Sequence, residues 1–426
     1  MATLKMLEDL ETNEKIRLFE GNGNWKTFDA EGKIPSITMS DGPHGIRKQT
    51  DEKSRDINDS NVATCFPTAS AIASSWNVSA LETMGKAIAL EAHAENINLV
   101  LGCGMNHKRS PLCGRNFEYF SEDPYLTGKL ASSYVHGMQE TGVGSCIKHF
   151  ACNNQEKRRF TSSSIIDERT LHEIYLRAFE IVIKNEKPLA IMASYNKING
   201  VYSCQNKMLL TELLRKKWGY KGFIVSDWGA CVNPVKCLKA GLNLAMPDSH
   251  GYVTSTLIKA LENGEITEKE IDEANTKLCE GVRKLSDSHI DMKIDYTQQH
   301  ETALRLAEES AVLLRNKGIL PVKSDRVVII GKLAQEMRFE GGGSSHINSK
   351  PYPNVIQALQ AQGIDVFYEP DINNAVNQVQ LAAYKNIPVL FFCGLTDEYE
   401  GEGFDRKDLK LRIDQIKILK HTMLMI

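Results

Sequence analysis

The sequence lacks a C-x-x-C pair, a long apolar run, a basic surplus and a glycine-rich nucleotide loop. Each absence removes a class of protein. Its 10 cysteines lie at irregular spacing, and most, such as Cys146, Cys152 and Cys393, sit among apolar residues. They read as buried free thiols in a reducing compartment. No apolar stretch approaches the ~20 residues that span a bilayer, so no membrane segment is expected. The start, MATLKMLEDLETNEK, is charged and has no apolar h-region. It is not a secretory signal, and the chain reads as cytoplasmic. Lys and Arg number 51 against 54 Asp and Glu, a formal charge of −3, so no basic field for nucleic acid is present. Gly341-Gly342-Gly343 could cradle a phosphate, but no Lys-Ser/Thr follows and no G-x-G-x-x-G occurs. A nucleotide cofactor is therefore not expected. His93, His107 and His136 lack metal-ligand spacing, and no metal is expected either.

What is present is a chain of 426 residues, 42% hydrophobic and 25% charged, long enough for two globular domains. Its most telling stretch is GFIVSDWGA, residues 222–230. Phe223, Ile224 and Val225 read as a buried strand that runs into Ser226, Asp227 and Trp228. A carboxylate there sits rigidly at the mouth of a sheet, with a flat apolar ring beside it. Sugar cleavage needs that pair: an acid at the anomeric carbon and a ring against a sugar face. The plainer alternative is that Asp227 caps the helix after the strand.

The pattern recurs along the chain. Residues 37–39 read as a strand before the turn Asp41-Gly42-Pro43, and 97–101 end in Gly102-Cys103-Gly104. Residues 145–150 carry Lys148 and His149, and 189–194 end in Tyr195-Asn196. Residues 65–75 and 242–246 hold further short apolar runs. Helices are expected over 76–90, 125–141, 168–185, 209–218 and 233–240. Short apolar runs that alternate with helices and end in polar residues predict an α/β fold, a (β/α)8 TIM-like barrel with its chemistry at the C-terminal strand ends. It is assigned residues 1–290. A polar linker and a connecting helix follow in 291–316, the helix over 301–316 with Leu304, Ala307, Ala311 and Leu314 on one stripe. Residues 317–426 begin a second α/β unit at RVVIIG. Strands over 365–368 and 389–393 and helices over 354–362 and 374–385 predict a parallel sheet.

One polar residue at a strand end means little; the joint set Asp41, Arg115, Lys148, His149, Arg159, Tyr195 and Asp227 means more. In SDGPHGIR (40–47), GRNFEYFSEDPYLTG (114–128), IKHFACNNQEKRR (147–159), MASYNKING (192–200), GFIVSDWGA, GGGSS (341–345) and EGFDR (402–406), the sequence closely resembles the glycoside hydrolase family 3 β-glucosidases. The resemblance implies a barrel followed by an α/β sandwich with the active site between them. It implies a retaining β-glucosidase that acts by double displacement. Asp227 then matches the nucleophile and Glu402 the acid/base, with Glu400 as a rival. Asp41, Arg115, Lys148, His149 and Arg159 match the positions that hold glucose hydroxyls. Tyr195 matches the residue against the nucleophile, Trp228 the platform, and Ser344, or else Ser345, a serine reaching in from the second domain. The implied partner is a carbohydrate. Family members with an Asp-His dyad that cleave N-acetylglucosaminides carry a KH-x-PG motif, replaced here by KHFACNNQE.

The residue types fit this chemistry on their own terms. Asp41 accepts two hydroxyls, and Lys148, Arg115 and Arg159 donate. The same cations are expected to keep Asp227 ionised, while Glu402 must hold a proton. A retaining pair stands roughly 5–5.5 Å apart. Taken singly, Arg115 with Glu118, or Arg159 with Glu156, also read as surface ion pairs worth ~0–1 kcal/mol, and His149 as a satisfied core histidine. After EGFDR only residues 407–426 remain, fewer than the family's sandwich uses. The chain thus reads as C-terminally truncated, with an incomplete sandwich domain. Leu390, Phe391 and Phe392 are then expected on an apolar edge with nothing later to cover them, which favours self-association into a homo-oligomer. The alternatives are a sugar-binding fragment with impaired turnover, or xylosidase/arabinosidase specificity.

Overall fold

The computed structural model describes residues 7–30, 32–51, 54, 59–371 and 374–423. The first ten strands in chain order are β1 (Gly21–Asn22), β2 (Lys26–Thr27), β3 (Met39–Asp41), β4 (Leu99–Leu101), β5 (Gly144–Phe150), β6 (Ser163–Ser164), β7 (Ala190–Ala193), β8 (Lys197–Ile198), β9 (Val201–Tyr202) and β10 (Phe223–Ser226). A parallel sheet of order β10-β7-β5-β4-β3 forms the body of the barrel. Its ends meet through short segments: Val225 pairs with Leu244, Ala245 with Glu20, β1 with β2, and Lys26 with Thr38 beside β3. Among the described residues the circuit therefore closes as a (β/α)8 barrel in which β2 is the one reversed segment. The apolar run at 65–75 does not join this circuit. Pro67 offers no N–H to a ladder, and the chain turns instead into the short helix Ala69–Ala73. The hairpin of β1 and β2 closes the barrel in its place.

Strand parity decides what faces where. Met39, Leu99, Leu101, Cys146, Ala190, Met192, Phe223, Val225, Leu244 and Met246 belong to the cluster inside the barrel. Their neighbours Val100, Ile147, Ile191, Ala193, Ile224 and Ala245 pack outward against the helices. Residues two apart share a face, so Asp41, Lys148 and Asp227 carry the inward parity of Met39, Cys146 and Val225. They form the polar layer above an apolar plug. The surrounding helices are fixed by local signals. Asn77 caps Val78–Ala94, and Asp123 with Pro124 starts Pro124–Glu140. Thr267 and Glu270 close a capping box at the head of Glu268–Asp287.

The connecting helix differs from expectation. It runs over Tyr296–Ser310 and buries Gln299, Thr302, Ala303 and Leu306 against the barrel, where Gln299 Nε2 donates to Ala87 O at 2.7 Å. Leu304 and Leu314 are exposed. The expected stripe failed because the helix buries a different face, leaving Leu304 and Ala307 exposed, and because the backbone turns extended at Ala311, so the rest of the stripe lies beyond the helix.

In the second domain, β11 (Arg326–Ile330) lies between β12 (Asp365–Glu369) and β13 (Val389–Phe391), all parallel. Val328 and Ile330 pack on one side with Ala375, Val379, Ala382 and Ile418. Val327 and Ile329 pack on the other with Val355, Ile356 and Leu359. The expectation of an uncovered strand at 389–393 is overturned. The later helix Ile413–Met423 brings Ile418 onto Phe391, while Leu390 and Phe392 pack into the opposite cluster. No helix of the described residues is long and apolar enough to cross a membrane.

Candidate active site

Asp227 directly follows β10, and Trp228 N donates to its Oδ1 at 2.8 Å. The next helix, Pro234–Ala240, takes its cap from Asn233, so Asp227 is no helix cap. Asp227 Oδ2 is buried and has no hydrogen-bond partner among the described residues; His149 Nε2 stands 3.8 Å away. On its other edge His149 Nδ1 meets Tyr119 Oη at 3.1 Å, and its backbone N donates to Asn106 Oδ1 at 2.9 Å. Burial, then the charges of Arg115, Lys148 and Arg159, push the imidazole well below its ordinary pKa, so it is neutral. Tyr195 Oη donates to Trp228 O at 3.0 Å, which holds the phenol beside Asp227.

Asp41 ends β3. Its Oδ2 accepts from Arg47 Nη2 at 2.7 Å and its Oδ1 from Lys148 Nζ at 3.4 Å. Arg47 also donates through Nε to Ser344 O at 2.8 Å, tying the second domain to the barrel. Trp228 leans on Trp25, with ring centroids 5.3 Å apart, and its Nε1 donates to Asn24 O.

Glu402 arrives from the second domain. Its Oε1 accepts from Arg159 Nη1 at 2.7 Å and Arg115 Nη1 at 3.5 Å, and its Oε2 from Ser344 N at 2.8 Å. Both arginines are also paired within the barrel. Arg115 Nε meets Glu118 Oε1 at 2.5 Å, and Arg159 Nη1 meets Glu156 Oε2 at 2.7 Å. These are buried pairs that hold a third carboxylate, not surface ion pairs. Ser345 Oγ donates to Glu118 Oε2 at 2.9 Å, inside the wall. Glu400 faces elsewhere, on Arg338 Nη1 at 3.2 Å.

Asp41, Arg115, Lys148, His149, Tyr195, Asp227, Trp228, Ser344 and Glu402 line one cavity of about 640 Å³. Arg159 stands behind it and reaches it through Glu402. Arg47 and Trp25 line it too and went unnamed in the sequence. Arg47 lay within the SDGPHGIR segment, a cation just past a Gly-Pro turn that follows an acid. Glu118 and Glu156 were named in the sequence only as surface partners of the arginines; their burial makes them anchors instead.

The electrostatics correct one expectation, that Glu402 holds a proton, and qualify another, since Asp227 is ionised at neutral pH but with a raised pKa. Burial outweighs Arg115 and Arg159 and lifts its pKa to about 6. Glu402 goes the other way: burial raises it, but Arg115, Arg159 and the Ser344 hydrogen bonds overcome that and hold it well below the usual carboxylate range.

Residues 4–280 match the Glycosyl hydrolase family 3 N terminal domain and residues 311–423 the Glycosyl hydrolase family 3 C-terminal domain. The chain belongs to glycosyl hydrolase family 3. Within that family it is 41% identical over 432 residues to a thermostable beta-glucosidase B of Acetivibrio thermocellus, covering 98% of this chain and 57% of the relative. It is 39% identical over 445 residues to an exo-alpha-(1->6)-L-arabinopyranosidase of Bifidobacterium longum, covering 99% and 58%. Among solved structures, the GH3 beta-glucosidase of Bifidobacterium adolescentis superposes with a TM-score of 0.90 at 40% identity, covering 98% of this chain and 62% of that one. Beta-glucosidase 3B of Thermotoga neapolitana in complex with glucose gives 0.91 at 31%, covering 99% and 67%. The family 3 chain described here thus spans less than two thirds of the length of the curated relatives it matches.

Proposed function

We propose that this chain carries the active site of a retaining β-glucosidase, with residues 1–290 supplying the nucleophile and 317–426 the acid/base loop. One observation carries the reading: the unpartnered Oδ2 of Asp227 and the carboxyl of Glu402 line a single cavity, the first on a barrel strand end, the second on a loop of the other domain. Asp227 attacks the anomeric carbon and Glu402 protonates the departing oxygen, then deprotonates the water that frees the sugar. Asp41 accepts hydroxyl protons while Arg47 and Lys148 orient it. Arg115 and Ser344 approach the sugar from the cavity wall, and Trp228 with Trp25 gives an apolar face. His149, being neutral, offers Nε2 as a hydrogen-bond group without adding a charge beside the nucleophile.

Asp227 is easier to protonate than Glu402, the reverse of what the mechanism needs. Sugar hydroxyls that draw Arg115, which lines the cavity, off Glu402 would let that carboxyl regain a proton. Two results test this. With a β-glucoside whose leaving group needs no proton, kcat/KM reports Asp227 alone and should fall tenfold per pH unit below about 6. Arg159→Met should move that limb to higher pH, because a charge that lowers the Asp227 pKa is gone. A limb in the ordinary aspartate range would contradict the raised Asp227 pKa.

The 39% identity to an arabinopyranosidase supports a second specificity at the same site. Assay with paired aryl β-D-glucopyranoside and α-L-arabinopyranoside separates the two, since these sugars differ at C4 and in the hydroxymethyl group on C5. The expected result is faster glucoside cleavage. Proton NMR should show the β-anomer of glucose first; α-glucose first would reject double displacement.

A further inference from the structure

A second constellation joins the two domains outside that cavity. His44 lies in the segment after β3, and Cys65 in the loop before the helix Ala69–Ala73. Glu340 comes from the second domain, directly ahead of Gly341-Gly342-Gly343. His44 Nε2 is 3.3 Å from Glu340 Oε2, and Cys65 Sγ is 3.7 Å from the same oxygen. The three ligand atoms lie within 4.8 Å of one another. Zinc bonds of roughly 2.0–2.3 Å in a tetrahedron set ligand atoms roughly 3.3–3.8 Å apart. Two of the three separations fall in that range, and one imidazole nitrogen, one sulfur and one carboxylate oxygen suit a borderline-soft divalent ion.

We propose that His44, Cys65 and Glu340 form a binding site for one zinc-type divalent ion that ties the glycine loop of the second domain to the barrel. Two further observations fit a built site. Cys65 and Glu340 line a cavity of about 630 Å³, which gives an ion a way in and leaves room for a water as fourth ligand. His44 is buried, and among the described residues its Nδ1 has no hydrogen bond. Ligation through Nε2 puts the ring proton on Nδ1, where a water or a small shift of the ring must satisfy it. His346 Nδ1 at 2.7 Å from Glu340 Oε1 and Ile347 N at 3.0 Å from Oε2 orient the carboxylate from behind. On binding, the Cys65 thiol releases its proton to solvent and the ion takes its place, with no change of oxidation state.

A rival cluster, Glu82, His136 and Glu140, is exposed or half-exposed. It already holds a cation, because Lys86 Nζ sits 2.8 Å from both Glu82 and Glu140. Among the described residues no lysine or arginine pairs with Glu340, whose other oxygen is held by His346, and the position of the proposed site has a consequence. Glu340 precedes Ser344 by four residues, and Arg47, three residues after His44, holds Ser344 O. An ion there would stiffen the wall that Ser344 and Glu402 share.

The test is cobalt titration of the chelator-treated chain, followed by zinc. One equivalent of Co²⁺ should give a thiolate-to-cobalt absorption band that zinc bleaches, and zinc should raise the melting temperature. Cys65→Ser should lose the band and the thermal shift while keeping the wild-type circular dichroism. Glu340→Gln should weaken cobalt binding at least about tenfold, and His136→Gln should change nothing. No band from the folded wild type would overturn the proposal. So would a band that survives Cys65→Ser, since it would put the ion on another thiol, such as the exposed Cys393.

Discussion

Asp227→Asn should abolish turnover and stabilise the protein at the same time. Loss of the nucleophile should lower kcat by roughly 10³-fold or more. The stability gain follows from burial. The Asp227 carboxyl is 6% exposed, with one oxygen unpartnered and its pKa lifted to about 6. A tenfold change in proton affinity is worth about 1.4 kcal/mol, so holding this carboxylate ionised costs roughly 3 kcal/mol at neutral pH. The sign is that of a raised folded-state pKa. The folded chain keeps a proton that the unfolded chain has released, so stability falls as pH rises from about 4 to about 6 and the full cost stands above that. Asparagine keeps the oxygen that accepts from Trp228 N and carries no charge. Thermal melts at pH 7 should therefore show the variant more stable than wild type, and the gap should close towards pH 4. A variant that melts no higher at pH 7 would show that the charge is better compensated than its surroundings suggest.

That cost also marks the limit of what the sequence made legible. Asp41, Lys148 and Asp227 were readable because a strand's period of two and a barrel's single polar mouth leave few places for a charged residue at an apolar strand end. Tyr195 and Trp228 followed from the same strand ends. The protonation pattern was not readable. Arg115 and Arg159 look in the sequence like guardians of Asp227. In space they share their charge among Glu118, Glu156 and Glu402. Burial of Asp227 depends on the whole barrel wall, and no local pattern carries it. The connecting helix shows the same failure at the level of packing. Leu304, Ala307, Ala311 and Leu314 share a helical stripe, but the helix buries the face of Gln299, Thr302, Ala303 and Leu306 instead and stops at Ser310. Arg47 was missed for a related reason: its role comes from Asp41 Oδ2 and Ser344 O, one near in sequence and one far from it. Glu402 could be named only through the family resemblance, because a loop far along the chain carries no periodic signal of where it lands.

How that loop lands can be tested without touching Glu402. Asp405 receives the backbone N–H groups of Gly114 (3.1 Å), Glu156 (2.9 Å) and Lys157 (2.9 Å), and Arg406 N donates to Leu112 O at 2.8 Å. The EGFDR loop thus lies flat on the two barrel segments that carry Arg115 and Arg159. Gly114 makes the fit possible. A Cβ there would stand 1.8 Å from Phe404 O and 2.3 Å from Gly401 O, both backbone atoms of the loop. Gly114→Ala must push residues 401–404 away, and Glu402 with them. A catalytic group displaced by ~1 Å can cost about 10²-fold in rate, so kcat should fall by about that factor. Asp227 and Asp41, which sit on barrel strands, should keep binding glucose. Asp405→Asn, which turns one acceptor into a donor, should show a smaller loss of the same kind. Azide gives the decisive readout. If the defect is a misplaced acid/base, azide should partly restore turnover of an activated aryl glucoside and yield a glycosyl azide, for Gly114→Ala as for Glu402→Ala. Glu400→Ala, whose carboxyl rests on Arg338 instead, should need no rescue. Wild-type kcat in Gly114→Ala, or a loss that azide does not relieve, would mean that this loop does not deliver the acid. Rescue of Glu400→Ala in place of Glu402→Ala would move the acid/base role to Glu400.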